Sequence, residues 1–467
     1  MEIEVIKKLI EKQKYGHEDL MKRSDLAKKY YRNENEILDR SKITLGGGNP
    51  IRNADNRIAS SFYSILVNQK AAYMFTAPPI FDTKNNDLNK KISDILGDQY
   101  PKACKDLCIN ASNSTVAWIH VWKDQTVGAF KYAVVESTQV IPLWDNSLEK
   151  NLIAVLRTYK TTDDSGQSYD VYEYWNDIKC YAFRKKTSGS INDLQPYMMF
   201  ARESDYNYDS GNEYAHDFGE VPFIPFFNNN CCENDLTNVK GLIDSYDKVY
   251  SGFTDDLEDI QEIVFVLSGY GSENLGEFLG NIKKYKTIKL DDDEDGGKPG
   301  EVSTLTIDIP VEARKEMLSM TRKAIFEQGQ GIDPDPQNFG NSSGVALRYL
   351  YSLLELKAGL METEFRLGFG KLIRMICKYL GCVPGQIVQT WTRTSVSNDA
   401  ELASIAKDSL GVISLKTIVK NHPWVENADD EIEQIKKEQL EQEAKADPYL
   451  KAFKTPNEEE GVNSIEE

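Results

Sequence analysis

A long loop followed by a long apolar helix constrains this chain more than any other feature. The loop covers residues 329–344, is rich in glycine and contains Pro334 and Pro336. The helix is predicted by SGVALRYLYSLLELKAGLMETEFRLGFGKLIRMICKYL, which is apolar nearly all the way round. Long loops without secondary structure are uncommon in compact domains and are usually functional, and a helix without a polar face must be buried on most sides. The sequence therefore predicts a moving segment on a rigid, buried support.

The size and the net charge of the chain restrict the classes of function that it can have. The chain has 467 residues, of which 40% are hydrophobic, and a formal net charge of -19. An acidic surface repels phosphates at long range, which disfavours a protein that grips nucleic acid but not one that lets DNA slide past. The N-terminus has no apolar signal segment and the seven cysteines form no framework, so we expect a cytosolic, reduced chain without a membrane segment.

The pattern of elements predicts an α+β fold that is predominantly helical. Amphipathic spacing favours helices from Met1 to Asp39, from Asn53 to Tyr73 and from Leu88 to Ala111. Residues 115–227 change character, because short runs rich in Val, Tyr, Trp and Phe alternate with turn residues. That region predicts an antiparallel sheet with exposed hairpins.

The second half of the sequence predicts a finger-like projection built from two helices with a small module between them. A helical pattern runs from Leu242 to Leu267, residues 269–310 form a small module with strands, and residues 311–328 return as a helix. The remaining predictions are a strand at Gln386–Arg393, helices at Asn398–Ser409, Leu415–Asn421 and Asp429–Ala446, and a disordered acidic tail at 447–467.

One alternative is a metal-dependent nuclease that uses Asp335, Glu355 and Lys357. Such a site needs the Asp and the Glu-x-Lys pair on adjacent strands, where two carboxylates hold the metal ion. Glu355 and Lys357 are instead two apart in a predicted helix, so they point to different faces. This spacing disfavours the nuclease.

Other possible metal sites are weaker. Asp291, Asp293 and Asp295 begin like a calcium loop, but Val302 stands where its last ligand should be, which favours a solvated turn. The cysteines (Cys104 with Cys108, Cys231 with Cys232) and the four histidines lack zinc spacing, so we expect buried thiols. We predict no catalytic residue, no metal and no cofactor, and therefore not an enzyme.

Four segments in this order resemble the portal proteins of tailed bacteriophages, in the SPP1-like (Gp6-like) group. They are ADNRIASSFYSILVNQKAAYMFTAPPI, LIDSYDKVYSGFTDDLEDIQEIVFVLSG, SGVALRYLYSLLELKAGLMETEFRLGFGKLI and ISLKTIVKNHPWVENADDEIEQIKKE. The resemblance runs from about Tyr30 to Gln442. Another virion scaffold or connector protein is the remaining alternative.

The resemblance implies a ring, usually dodecameric, at one capsid vertex in the virion, assembled in the host cytoplasm. Double-stranded DNA would pass through its channel, and its partners would be terminase, a head-completion (adaptor) protein, and capsid and scaffolding proteins. The implied parts are a wing (1–241), stem helices (242–268 and 311–328), a clip (269–310), a tunnel loop (329–344), a long wing helix (345–385), a crown (386–446) and the tail (447–467).

The resemblance also implies two sets of site residues. The tunnel loop would touch DNA through Gln330, Asp333, Asp335, Gln337, Asn338, Phe339, Asn341 and Ser342. The clip would dock terminase and adaptor through Lys283, Lys284, Lys286, Asp291, Asp292, Asp293 and Lys298.

Overall fold

The structure is a computed structural model with helices and strands in both halves of the chain, which confirms the predicted mixture of the two. It describes residues 3–39, 54–124, 127–204, 207–259, 264–268, 301–305, 310–334, 344–393, 399–420, 422, 425 and 428–446. The chain divides into two compact units, Met1–Pro334 with Tyr351–Thr394 and Asp335–Leu350 with Ser395–Glu467.

Most helices lie where the sequence predicts them. In chain order they are α1 Ile3–Tyr31, α2 Phe62–Met74, α3 Asn86–Leu96, α4 Tyr100–Ser114, α5 Lys240–Asp259, α6 Val311–Gln328, α7 Gly344–Tyr379, α8 Asp399–Asp408, α9 Leu415–Lys420 and α10 Ala428–Ala446. Helix α6 starts directly after Pro310, which has no N–H to donate within a helix. None of the helices within the described ranges is long and apolar enough to cross a membrane.

The predicted helix over Leu88–Ala111 is wrong at its centre, because α3 and α4 are separate. Gly97 ends α3 with a φ of 61°, in the left-handed region, and its N–H donates to Ser93. Pro101 then lies in the first turn of α4, where a missing N–H costs nothing.

The predicted helix from Asn53 also begins later, at Phe62. The backbone N–H of Asn56 donates to Asp255 at 2.6 Å, and that of Ser60 donates to Asp247 at 3.0 Å. These donors therefore bond to carboxylates of α5 instead of helical carbonyls, and the segment stays irregular.

Antiparallel pairing dominates the predicted β region, as expected. The strands are β1 Ile80–Asp82, β2 Val116–Lys123, β3 Phe130–Val135, β4 Val140–Trp144, β5 Leu152–Thr162, β6 Ser168–Trp175, β7 Lys179–Lys186, β8 Gln195–Pro196, β9 Phe200–Ser204, β10 Asn207–Gly211, β11 Glu213–Ala215, β12 Phe223–Phe227, β13 Val264–Ser268, β14 Glu301–Leu305 and β15 Val388–Thr390. One sheet has the order β12-β2-β3, and a six-stranded sheet has the order β11-β7-β6-β5-β4 with β8 on β7.

Strand β2 is buried from Val116 to Val121 because both of its faces are covered. Ala117 and Ile119 face a core that includes α4 and α7, whereas Val116 and Trp118 face a core shared with the six-stranded sheet. Side chains alternate across a strand, so the continuous apolar run Val116–Ile119 fits a strand between two layers.

The predicted helix over Leu242–Leu267 is wrong from Val264 onwards. Residues Val264–Ser268 form β13, which pairs antiparallel with β14 from Val264 opposite Leu305 to Ser268 opposite Glu301. Ile260 and Val264 continue the helical spacing of α5, but Val264–Leu267 is also a short apolar run that suits a strand.

Helix α7 buries one face, not the whole circumference that its composition predicts. Leu354, Ala358, Met361 and Phe365 are buried, and the last three belong to the largest apolar core. On the other side, the stripe of Leu353, Leu356, Leu360 and Leu367 is 39%, 55%, 58% and 71% exposed. The described part of the chain therefore leaves an apolar stripe of this helix uncovered.

Candidate functional site: the base of the 329–344 loop

Three helices fix the start of the loop. Arg314 of α6 pairs with Asp256 of α5 and lies over the ring of Phe253, 5.4 Å from its centroid. At the other end of α6, Ile325 and Phe326 are buried in an apolar cluster to which α2 and α5 also contribute. The last turn of α6 is therefore held in place before the loop begins.

The loop leaves α6 through a tight turn. The N–H of Gly329 donates to the carbonyl of Ile325 at 2.8 Å, and the N–H of Gly331 donates to that of Phe326 at 2.9 Å. Between them Gln330 has a φ of 53°, in the left-handed region that few residues other than glycine adopt.

Both glycines of this turn are required by close packing against Leu66 of α2. A Cβ atom at Gly329 would lie 2.5 Å from Leu66 Cδ1, and one at Gly331 would lie 2.3 Å from Leu66 Cδ2. These distances are far inside van der Waals contact. The glycines that the sequence suggested as a source of mobility therefore allow a close approach here.

Gln69 of α2 pairs with the backbone of the loop at Ile332. Its Nε2 donates to the Ile332 carbonyl at 2.7 Å, and the Ile332 N–H donates to its Oε1 at 3.0 Å. The side-chain amide thereby satisfies both backbone groups of a residue that is only 8% exposed.

The carboxylate of Asp333 is paired with Arg322 of α6. Arg322 Nη2 lies 2.6 Å from Asp333 Oδ1, and Arg322 Nε lies 3.1 Å from each carboxylate oxygen. The negative charge of Asp333 is thus balanced within the chain.

Lys357 of α7 reaches the first carbonyl of the loop. Its Nζ donates to the Gly329 carbonyl at 2.9 Å and lies 3.1 Å from Asp235 Oδ2. The same oxygen of Asp235 accepts from Lys70 of α2 at 2.6 Å, while Asn228 donates to the other oxygen at 2.9 Å.

This cluster of Lys70, Asp235 and Lys357 is a buried charge triad. Burial alone would raise the pKa of Asp235, but the charges of Lys357 and Lys70 and the Asn228 hydrogen bond hold it well below its usual range. Burial lowers the pKa of Lys357, and the Asp235 charge opposes that shift. The triad therefore depends on Asp235 remaining ionised between the two lysines.

One known protein family matches nearly the whole chain. The sequence pattern of the family described as "Phage portal protein, SPP1 Gp6-like" matches residues 10–445. The chain belongs to this portal family. The resemblance seen in the sequence alone is confirmed.

Two portal-family relatives match along most of their length. The portal protein of Clostridium phage phiCD119 is 41% identical over 457 residues, which cover 95% of this chain and 96% of that protein. The portal protein of Bacillus phage SPP1 is 27% identical over 456 residues, which cover 93% of this chain and 86% of that protein.

Solved structures resemble the chain more distantly. A chain in the neck of a native GTA particle, computed with C12 symmetry, matches 76% of this chain and 88% of its own length. The TM-score is 0.41 and the sequence identity is 12%. That similarity is too low to support any inference about function or assembly.

Of the eight loop residues that are predicted to touch DNA, the structure describes two, Gln330 and Asp333. Gln330 borders a cavity of about 90 Å³ beside Lys70 and Lys357, and Asp333 pairs with Arg322. The other predicted loop residues lie outside the described part of the chain: Asp335, Gln337, Asn338, Phe339, Asn341 and Ser342. The predicted clip residues, and Asp291–Asp295 with them, also lie outside it.

The two nuclease candidates that the structure describes are bound to other partners. Glu355 pairs with Arg393 and accepts from the Tyr73 hydroxyl at 2.6 Å, whereas Lys357 bonds to Asp235 and Gly329. The two side chains differ in environment as the helical spacing predicts, and the portal family is structural. Asp335 lies outside the described residues.

The thiol prediction is partly wrong. Cys104 and Cys108 are buried in α4 as expected, but Cys231 and Cys232 are exposed in the turn before α5. Within the described ranges, no three His, Cys, Asp or Glu side chains are grouped to hold a metal ion.

Proposed function

We propose that copies of this chain form a ring, of about twelve subunits by analogy with its family, at one vertex of a phage capsid. Viral DNA enters and leaves through the central channel of that ring. The observation that carries the proposal is the portal-family match over residues 10–445. Two features of the chain itself support it.

The first feature is the exposed leucine stripe of α7. Leu353, Leu356 and Leu360 follow three- and four-residue steps, and Leu367 continues the stripe two turns later. This spacing places them on one side of the helix. Exposed apolar surface in this pattern supports burial against another helix, which a neighbouring subunit of a ring would supply.

The second feature is the charge of the loop that would line the channel. Residues 329–344 contain no Lys or Arg, and the net charge of the chain is -19. A wall without cations does not hold phosphates, so DNA can slide past it. Arg322 balances Asp333, which limits the repulsion at the base of the loop.

The remaining parts follow from the family. Residues 269–310 would form the clip that docks terminase during packaging and the head-completion protein afterwards. The wing (1–241) would face the capsid and scaffolding proteins, and residues 386–446 would form the crown inside the capsid.

Electron microscopy of purified protein tests the ring. We expect rings with a central hole, and we expect Leu360→Asp to reduce them to smaller species because it places a charge in the leucine stripe. Leu148→Asp is the matched control, since Leu148 is fully exposed and lies outside α7. Wild-type protein that never forms rings would contradict the proposal.

A deletion of residues 336–341 tests the channel. We expect the deleted protein to form rings of normal size but to package much less DNA per particle, since it lacks four of the eight predicted DNA-facing residues. Wild-type DNA content in particles built on the deleted protein would show that the loop does not act on DNA.

A further inference from the structure

We propose that Gln69 is a positioning residue that holds the first five residues of the loop, Gly329–Asp333, fixed to helix α2. This inference rests on the proposed function, because its importance depends on the loop meeting DNA. Gln69, more than 250 positions earlier in the sequence, thereby sets the direction in which the loop leaves α6.

The pairing geometry supports this role. Gln69 donates to one backbone group of Ile332 and accepts from the other, at 2.7 and 3.0 Å. Two simultaneous hydrogen bonds fix both the position and the rotation of that peptide segment, as neighbouring strands do in a sheet. No other natural side chain except the shorter Asn offers an amide donor and acceptor together.

The residues on either side of Ile332 are held independently. Lys357 holds the Gly329 carbonyl, Leu66 fills the space beside both glycines, and Arg322 holds the Asp333 carboxylate. Helices α2, α6 and α7 therefore converge on five residues. These five residues do not take part in any movement of the loop.

The hydrogen bond from Lys357 to the Gly329 carbonyl is rigid because Asp235 also holds the Lys357 ammonium group. Asp235 lies 3.1 Å from Lys357 Nζ and also binds Lys70 of α2. A hydrogen bond from a charged donor is stronger than one between neutral groups. A displacement of α7 at Lys357 would accordingly be transmitted to the first carbonyl of the loop.

Hydrogen exchange of the assembled full-length protein tests the clamp. In Gln69→Ala, the Ile332 N–H loses its acceptor, and the two lost bonds correspond to roughly a tenfold loss of protection at this amide. Asn68→Ala is the matched control. Asn68 lies next to Gln69, is exposed and accepts a hydrogen bond from the Tyr31 hydroxyl at 2.8 Å. Unchanged protection at Ile332 in Gln69→Ala would overturn the clamp.

Gln69→Glu distinguishes pairing from space filling. At neutral pH the introduced carboxylate can still accept from the Ile332 N–H, but it has no donor for the Ile332 carbonyl. When the carboxyl group is protonated, it can donate again. We expect the protection factor at Ile332 to recover as the pH falls in this variant and not in Gln69→Ala. Identical pH dependence in both variants would contradict a pairing role.

The functional measurement is DNA content per particle. We expect Gln69→Ala to assemble rings as the wild type does and to package several-fold less DNA, whereas Asn68→Ala packages normally. Loss of protection with wild-type packaging would overturn the positioning role. That outcome leaves the channel proposal intact, because the deletion of residues 336–341 tests the channel separately.

Discussion

Asp235→Asn should be one of the most destabilising single substitutions in the chain. The carboxylate lies between Lys70 and Lys357, and the three side chains are 7%, 1% and 13% exposed. Asparagine has nearly the same shape and keeps a carbonyl oxygen, but it removes the negative charge. Two buried ammonium groups are then left without their counter-ion.

The distances set the magnitude. The two Nζ atoms lie 2.6 and 3.1 Å from the same oxygen, so they can be no more than about 5.7 Å apart. At an effective dielectric constant of about 20, two positive charges at that separation repel by about 3 kcal/mol, and in the wild type the carboxylate between them offsets this repulsion. Removing one partner of a buried ion pair typically costs 3–5 kcal/mol. We therefore expect the free energy of unfolding to fall by about 3–5 kcal/mol.

Urea unfolding at one fixed protein concentration measures this loss, because any contribution from subunit association then enters every variant alike. Asp217→Asn is the matched control. Asp217 pairs with Lys123 but is 70% exposed, and such pairs contribute at most about 1 kcal/mol.

The sign of the charge effect is tested by adding Lys357→Met to Asp235→Asn. The double variant should regain a large part of the lost stability, because one of the two uncompensated charges is gone. The pKa of Asp235 is held low, so its contribution is present above about pH 4 and is lost as the pH falls below that value. A loss in Asp235→Asn no larger than in Asp217→Asn would refute the reasoning.

Two further predictions concern the core. Gly368→Ala should destabilise by about 1–3 kcal/mol, because its Cβ would lie 2.6 Å from the fully buried ring of Phe226. Gly359→Ala in the same helix meets no atom within 4 Å and should stabilise by up to about 1 kcal/mol, so equal effects in urea unfolding would contradict the packing argument. Burial lowers the pKa of His120 to about 3, so stability should fall by about 2 kcal/mol between pH 6.5 and 5 as the unfolded chain takes up a proton that the folded chain excludes. His120→Asn keeps a donor for the Pro222 carbonyl and should flatten that fall, and an unchanged pH profile would show that His120 does not cause it.

The helices that the sequence predicts well are those whose periodicity is long and whose ends carry a local signal. Helix α6 covers the predicted residues 311–328, and α7 (Gly344–Tyr379) ends within one residue of the predicted apolar run that closes at Leu380, although the part implied by the resemblance, 345–385, extends further. Where ends depend on distant contacts, the prediction fails. The late start of α2 depends on Asp247 and Asp255 of α5, about 190 residues further along the chain.

Strand β13 shows a second kind of limit. Its apolar residues continue the helical spacing of α5, and only pairing with β14 distinguishes the two conformations. Because β-propensity reports packing on a neighbouring strand more than a backbone preference, no short window of sequence contains that information.

The loop base combines both limits. Composition marks residues 329–344 as a candidate moving loop, but it does not separate glycines that allow movement from glycines that allow contact. Gly331 belongs to the second kind, because Leu66 and Gln69 lie against it, and both come from a helix that the sequence does not connect with the loop. The same holds for Asp333. The sequence predicts a carboxylate that faces DNA, but in the structure this carboxylate pairs with Arg322. A loop bordered by glycines can therefore be rigid at its base, and the sequence alone would have placed the hinge where the packing is tightest.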